Sequence, residues 1–257
     1  MTSPNADVVI NRLISVATPL LLLAAWEIAA RTHAIDTRFF SSPTRIFAQF
    51  WFMLSDGELL HHTLATVTRV LVGFLIGTTV GIVLGLAIGL IPTVSAALKP
   101  LVDATFPIPK VGLLPLVIIL FGIGEASKYA IIAISVVYLI IINTAAGVGQ
   151  IERIYLDVGR NYHAGRLMMF TDVALPGALP SIVTGMKVGM GVSLIVIVTA
   201  ESLAAKSGIG YLIWTSWQVF EVEKMYVGLL VTAILGFASS MLLDWMEWRL
   251  IPWRRRS

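Results

Sequence analysis

Long apolar runs alternate with short polar breaks along this chain, and the length of the runs decides what they are. Residues 13–30, 64–90, 126–147, 177–203 and 226–250 are each long enough to cross a hydrocarbon layer as a helix, which takes about 20 residues. A further run, 95–121, is as long but is broken by Pro107-Ile108-Pro109, with Lys110, Gly112 and Pro115 close behind. Proline removes a helical hydrogen bond and clashes with the preceding turn, so this span is expected to be kinked or partly unwound. The pattern predicts an all-α integral membrane protein with six transmembrane helices. Irregular backbone at membrane depth is tolerated where it lines a watery cavity, and Lys110 at the break favours such a cavity.

The runs differ in internal detail. Arg12 and Arg31 bracket the first, with Glu27 as its one internal charge, near an interface. Ser42-Pro43 then has the cap-and-proline form of a helix start, and Ile46, Phe47, Phe50, Trp51 and Leu54 recur on one face of an interfacial helix. The second span carries Gly73, Gly77, Gly81, Gly85 and Gly89, one every four residues. Such spacing makes a groove without side chains, against which another helix can pack closely. Residues 206–224 read as an external loop anchored at the interface by Trp214 and Trp217.

Composition agrees with the membrane reading. With 57% hydrophobic and 13% charged residues, the chain has too little polar surface to coat a soluble globule. The net charge of +3 is small and its basic residues are scattered, so no nucleic-acid partner is expected and membrane lipid is the anionic neighbour. There is no cysteine for nucleophilic or thiolate chemistry, and no glycine-rich loop ends in Lys-Ser or Lys-Thr to hold a nucleotide phosphate. His33, His61, His62 and His163 lack the spacing of a helical zinc site. The chain is therefore expected to be non-catalytic, without metal or cofactor of its own. Six spans put both termini on one side. Placing them in the cytoplasm gives Arg12, Lys99, Arg153, Arg160, Arg166, Arg249, Arg254, Arg255 and Arg256 to that side, against Arg31, Arg38, Arg45, Lys128, Lys206 and Lys224 outside.

The longest polar interruption of the second half, 149–184, reads GQIERIYLDVGRNYHAGRLMMFTDVALPGALPSIVT and falls on the cytoplasmic side in this arrangement. Its spacing resembles the signature of ABC-importer permeases, the inner-membrane components of binding-protein-dependent transport systems: Glu-Ala-Ala, three residues, Gly, nine residues, Ile-x-Leu-Pro. Here Asp157-Val158-Gly159 takes the first place, His163 stands where the glycine belongs, and Val173-Ala174-Leu175-Pro176 closes the pattern. The stretches PIPKVGLLPLVIILFGIGEASK, LPGALPSIVTGMKVGMG and AESLAAKSGIGYLIW are similar to the nitrate, sulfonate, taurine and bicarbonate branch of that family.

The resemblance implies a type I ABC-importer permease fold, with residues 1–40 as an N-terminal segment and first span and 41–257 as the permease core. It also implies a second copy of the permease, two cytoplasmic ATPase subunits holding ATP and magnesium, and a periplasmic substrate-binding protein. The helix over 157–168 becomes the coupling helix, with Asp157, Val158, Gly159, Arg160, His163, Ala164 and Gly165 touching the ATPase. Glycine permits positive φ more readily than histidine, so Gly159 or Gly165 is expected to supply the flexibility of the turn. The implied cargo is a small anionic solute moved across the bacterial inner membrane by alternating access.

Polar groups deep in apolar sequence mark the expected pathway: Lys110 and Lys187 to attract an anion, Ser193 and Thr199 to offer hydrogen bonds, and Glu201 paired with a basic or hydroxyl neighbour to shape a gate. The alternative is an ion-coupled secondary carrier with Lys110, Lys187 and Glu201 as its coupling charges.

Overall fold

A computed structural model describes residues 4–252, apart from the side chains of 4–13, 16, 153, 156, 160 and 166. Every regular element among the described residues is helical. In chain order these are α1 (Pro4–Arg31), α2 (Thr37–Phe40), α3 (Pro43–Asp56), α4 (Glu58–Leu90), α5 (Pro92–Thr105), a 3-10 turn (Lys110–Leu113), α6 (Leu114–Phe121), α7 (Glu125–Gly149), α8 (Arg153–Asn161), α9 (Arg166–Met168), a π-helical stretch (Met169–Ala174), α10 (Leu175–Ala204), α11 (Ile209–Gln218) and α12 (Val222–Leu250).

Among the described residues, four helices are long and apolar enough to cross a membrane, at Glu58–Leu90, Glu125–Gly149, Met169–Ala204 and Val222–Leu250. The broken run behaves as its prolines require: α5 and the following Lys110–Phe121 segment meet at a 93° bend and together meet the same test. This bent pair returns the chain so that α4 and α7 can run parallel. α1 covers the run 13–30, and its Trp26 donates from Nε1 to the Phe40 carbonyl (3.0 Å) while its ring meets Tyr226 of α12 at 5.6 Å. Glu27 accepts from Arg31 and from the Thr44 amide and hydroxyl at the start of α3.

The glycine stripe of α4 faces α7 within the same chain. A Cβ added at Gly73, Gly81, Gly85 or Gly89 would lie 2.6 Å from the Cβ of Ile132, Ile140, Thr144 or Val148 respectively, and one at Gly77 would lie 2.7 Å from the Ala133 carbonyl oxygen. The two backbones approach so closely that no side chain fits between them. α10 packs antiparallel on another side of α7, with Gly147 against Ser181 and Gly185 against Asn143. Val70, Phe74, Ile132, Val136, Ile140, Met190, Leu194, Ile197 and Leu243 fill the space between α4, α7, α10 and α12.

Two sequence expectations are corrected. Residues 206–224 are not an open loop, because Ile209, Leu212 and Ser216 recur at helical spacing and bury one face of α11 in a second core with Ile46, Met53, Leu59, Val227 and Val231. The interfacial helix α3 starts at Ser42, whose hydroxyl caps the Arg45 amide, but its buried face is Ile46 and Met53, leaving Phe47 and Trp51 exposed. The aromatic residues are thus on the side available to lipid.

Forcing a methyl group into the α4–α7 contact has a measurable cost. Gly81→Ala should destabilise the chain by about 1–3 kcal/mol through overpacking, seen as a lower thermal midpoint in detergent. Gly191→Ala on α10, where no atom lies within 4 Å of the new Cβ, should hold or raise it, since alanine is the better helix former.

Candidate functional site

Two polar regions stand at opposite ends of the α7–α10 pair. The first is a buried charge cluster where α4 and α7 begin and α10 ends. Arg69 lies on α4 four residues before Gly73, so it continues the face that the glycines open. Its Nε and Nη2 donate to the two carboxylate oxygens of Glu125 at 2.6 and 2.7 Å, and its Nη1 donates to Glu201 Oε1 at 2.7 Å and to the Ser207 carbonyl at 2.6 Å. Glu201 is fully enclosed; it is further held by the Thr66 hydroxyl at about 3 Å and by the Gly210 amide at 2.9 Å. The Thr66 oxygen in turn accepts from the Ile209 amide, and Gly208, in the left-handed region at φ 113°, donates to His62 Nδ1 at 3.0 Å. Buried Lys128 donates to the Gly124 carbonyl, with its Nζ 3.9 Å from Glu125.

Burying charges is costly unless each is paired and hydrogen-bonded, and this cluster meets that condition. Glu201 was expected near a pathway and beside a basic or hydroxyl neighbour; Arg69 and Thr66 are those neighbours, and they enclose it instead of exposing it. Ser193 is likewise fully buried and donates to the Met190 carbonyl at 2.7 Å. Thr199 donates to the Ile195 carbonyl one turn back.

The two lysines are also engaged. Lys187 Nζ bridges Asp244 and Glu247 of α12 at 2.5 and 2.6 Å, so its charge is matched twice over and fastens α10 to α12. Lys110 Nζ donates to the carbonyls of Thr105, Phe106 and Ile108 at 2.9 to 3.1 Å and lies 4.1 Å from the Tyr138 ring centroid. A cation there satisfies carbonyls left open where α5 ends, which stabilises the bend.

Arg69, Glu125, Lys128, Thr66 and His62 were not among the pathway or coupling residues expected from sequence. The available signal was a lone arginine in an apolar span, which requires an acidic partner at its own depth.

The second region is the segment from Ile151 to Pro176. α8 ends at Asn161, so the helix expected over 157–168 is interrupted. The reason is His163, which adopts φ 53° and turns the chain, with the Ala164 amide closing onto the Gly159 carbonyl at 2.9 Å. Histidine itself therefore takes the positive φ expected of Gly159 or Gly165. Gly159 is buried for a different reason, since a Cβ there would strike the Met169 sulfur. Asp157 and Val158 are exposed, Gly165 borders open space, and Arg160 has its side chain outside the described ones. Around them Ile154, Tyr155, Tyr162, Leu167 and Met168 are all exposed by more than half, over a cavity of about 560 Å³ that Val158, Gly159 and Ala164 help to line. Exposed apolar groups gathered on a segment this polar are the composition of a docking surface.

A model of the family of binding-protein-dependent transport system inner membrane components matches residues 77–256, which include this segment and the charge cluster's α7 and α10 portions. The chain belongs to that family. Among curated relatives, this permease is 35% identical to the putative aliphatic sulfonates transport permease SsuC of Escherichia coli over 90% of its own length and 89% of that protein's. It is 31% identical to the taurine transport permease TauC of the same organism, covering 93% and 89%. A solved structure of the MetNI methionine ABC transporter, described as inward facing, superposes with a TM-score of 0.64 at 17% identity, over 79% of this chain and 98% of the other. That likeness establishes the type I importer fold. Family membership makes the chain an ABC permease subunit and displaces the alternative of an ion-coupled carrier.

Removing one charge from the buried cluster should be far more costly than removing one from the surface. Glu201→Gln is expected to lose about 3–5 kcal/mol, the range for breaking a buried pair. Lys99→Gln, which breaks an exposed pair with Asp103, should lose no more than about 1 kcal/mol. Thermal midpoints of the two variants in the same detergent make the comparison.

Proposed function

We propose that this permease, as a pair of copies, carries a small organic anion of the sulfonate type across the inner membrane, driven by ATP on two partner subunits and fed by a binding protein on the opposite side. The exposed apolar segment around Val158, Tyr162 and Ala164 is the observation that carries the coupling part of this reading. A stiff short helix ending in a fixed turn passes on a rigid-body movement from a partner, and it needs no reacting group to do so. In this reading the segment and both termini lie in the cytoplasm, as the distribution of arginine and lysine favours. The sulfonate relatives support the substrate class, and an anion is the cargo a family branch of that kind implies.

Asp157, Val158, Gly159, Arg160, His163, Ala164 and Gly165 form the contact with the ATPase in this proposal, with Tyr162 as its most exposed aromatic group at 84%. In this proposal residues 1–40 are an N-terminal segment and first span, and 41–257 form the permease core. No ATP or magnesium is held by this chain in the proposal; both belong to the partner. The pathway runs along the permease pair, through loose polar contacts that release the solute readily.

The coupling contact is tested by Ala164→Arg in the complete assembly. It places a long charged side chain in the cavity beneath the apolar surface, so stimulated ATP hydrolysis and sulfonate uptake should fall roughly tenfold or more, as when an interface hot spot is lost. The thermal midpoint of the isolated permease should not change. Unaltered co-purification with the ATPase and unaltered stimulated hydrolysis would remove this segment from the interface.

A further inference from the structure

The two edges of the Arg69 guanidinium are held very differently. Its inward Nη1 meets the Ser207 carbonyl and Glu201, which is itself fixed by Thr66 and the Gly210 amide, and Nη2 also reaches the Ser207 hydroxyl at 3.0 Å. Its outward edge, Nε with Nη2, makes a bidentate pair with Glu125, whose side chain is 50% exposed while that of Arg69 is 4% exposed. Glu125 stands at the first turn of α7, directly after Gly122-Ile123-Gly124, where Gly122 adopts φ 79°. It rests on Arg69 and lies 3.9 Å from buried Lys128. Unlike Glu201, it is a carboxylate that can leave without opening the core.

We infer that Arg69 and Lys128 form an acceptor site for the head group of a small oxyanion, a sulfonate or carboxylate with a short apolar tail, and that Glu125 occupies this site until such an anion displaces it. The inference rests on the anionic-solute reading above. A planar guanidinium edge offers two parallel N–H donors, which match any oxyanion with two oxygens to present. Charge balance selects the same class. Arg69 and Lys128 face Glu201 and Glu125, so withdrawal of Glu125 leaves one positive charge uncompensated in a poorly solvated place, and a monoanion restores neutrality where a neutral or cationic solute does not.

The surroundings suit the rest of such a molecule. A cavity of about 350 Å³ opens beside the pair, lined by His61, Leu64, Ala65, Thr68, Arg69 and Glu125. It offers aliphatic walls at Leu64 and Ala65 next to the guanidinium, so head and tail each meet their own kind. The cavity lies at the end of α7 away from the Ile151–Pro176 segment. With that segment in the cytoplasm, the site is on the side from which an importer receives its cargo.

The test uses the purified full chain in discs of phosphatidylcholine, with radiolabelled ethanesulfonate as the probe. A tethered competitor lowers apparent affinity by the fraction of time it occupies the site, so Glu125→Gln should bind ethanesulfonate about tenfold tighter than the unaltered chain. A purely structural ion pair predicts equal or weaker binding, and that result overturns the inference. The unaltered chain gives a second readout independent of any folding defect: labelling of Glu125 by a water-soluble carbodiimide and an amine should rise with ethanesulfonate and not with tetramethylammonium chloride at equal ionic strength. No rise overturns the site. A rise produced by phosphatidylglycerol in the discs and not by ethanesulfonate assigns the cavity to a lipid head group and also overturns it. Neither readout needs ATP or a partner. Sulfonate uptake by the complete assembly with no change at Glu125 would therefore sink the site alone, and binding without uptake would sink the transport reading alone.

Discussion

The close approach of α4 and α7 is the contact on which the other positions depend. Five glycines at a spacing of four remove the side chains from one face of α4, and the β-branched Ile132, Ile140, Thr144 and Val148 of α7 settle into the space. Dispersion and shape fit supply the attraction in a medium where apolar burial gives little preference between protein and lipid. Because the helices run parallel over this whole length, the register set at Gly81 and Ile140 also sets what meets at the end. Arg69 continues the glycine face by one turn and Glu125 continues α7 by nearly two, so the bidentate pair forms where the same seam runs out of glycine.

The α7–α10 pair is consequently finished differently at its two ends. At one end Arg69, Thr66, Glu201 and the Gly208–Ile209–Gly210 backbone form a polar knot in which donors and acceptors are matched across three helices. At the other end the chain leaves α7, makes the short helix α8, turns at His163 and re-enters α10 through a π-helical stretch. Pro176 and Pro180 lack amide donors, and the wider π turns before Pro176 accommodate the interruption without stopping the helix. A stiff helix fixed at one end and carrying an exposed apolar segment at the other moves as a body when that segment is pushed. Lys187 with Asp244 and Glu247 extends the same body to α12.

Much of this could be read from the order of residues alone. Run length and hydropathy determine that the chain spans a membrane, Pro107 and Pro109 determine that one span is broken, Ser42-Pro43 marks a helix start, and the spacing around Asp157, His163 and Pro176 carries the family resemblance. These are local properties: each depends on neighbours within a few turns. The conformation at His163 was less legible, because a histidine in the left-handed region is held there by the Ala164–Gly159 hydrogen bond and by packing at Gly159, neither of which a residue preference reveals.

What the charged residues do was decided by tertiary structure. In sequence Lys110, Lys187 and Glu201 are polar groups in apolar runs and look alike. In space Lys110 closes the end of α5, Lys187 is shared by two acids of α12, and Glu201 is sealed against Arg69, 132 residues away in the chain. The reason is the low dielectric of the interior, which makes an unpaired charge so costly that every buried one must find a partner, while the identity of that partner depends on which helices the glycine seam brings together.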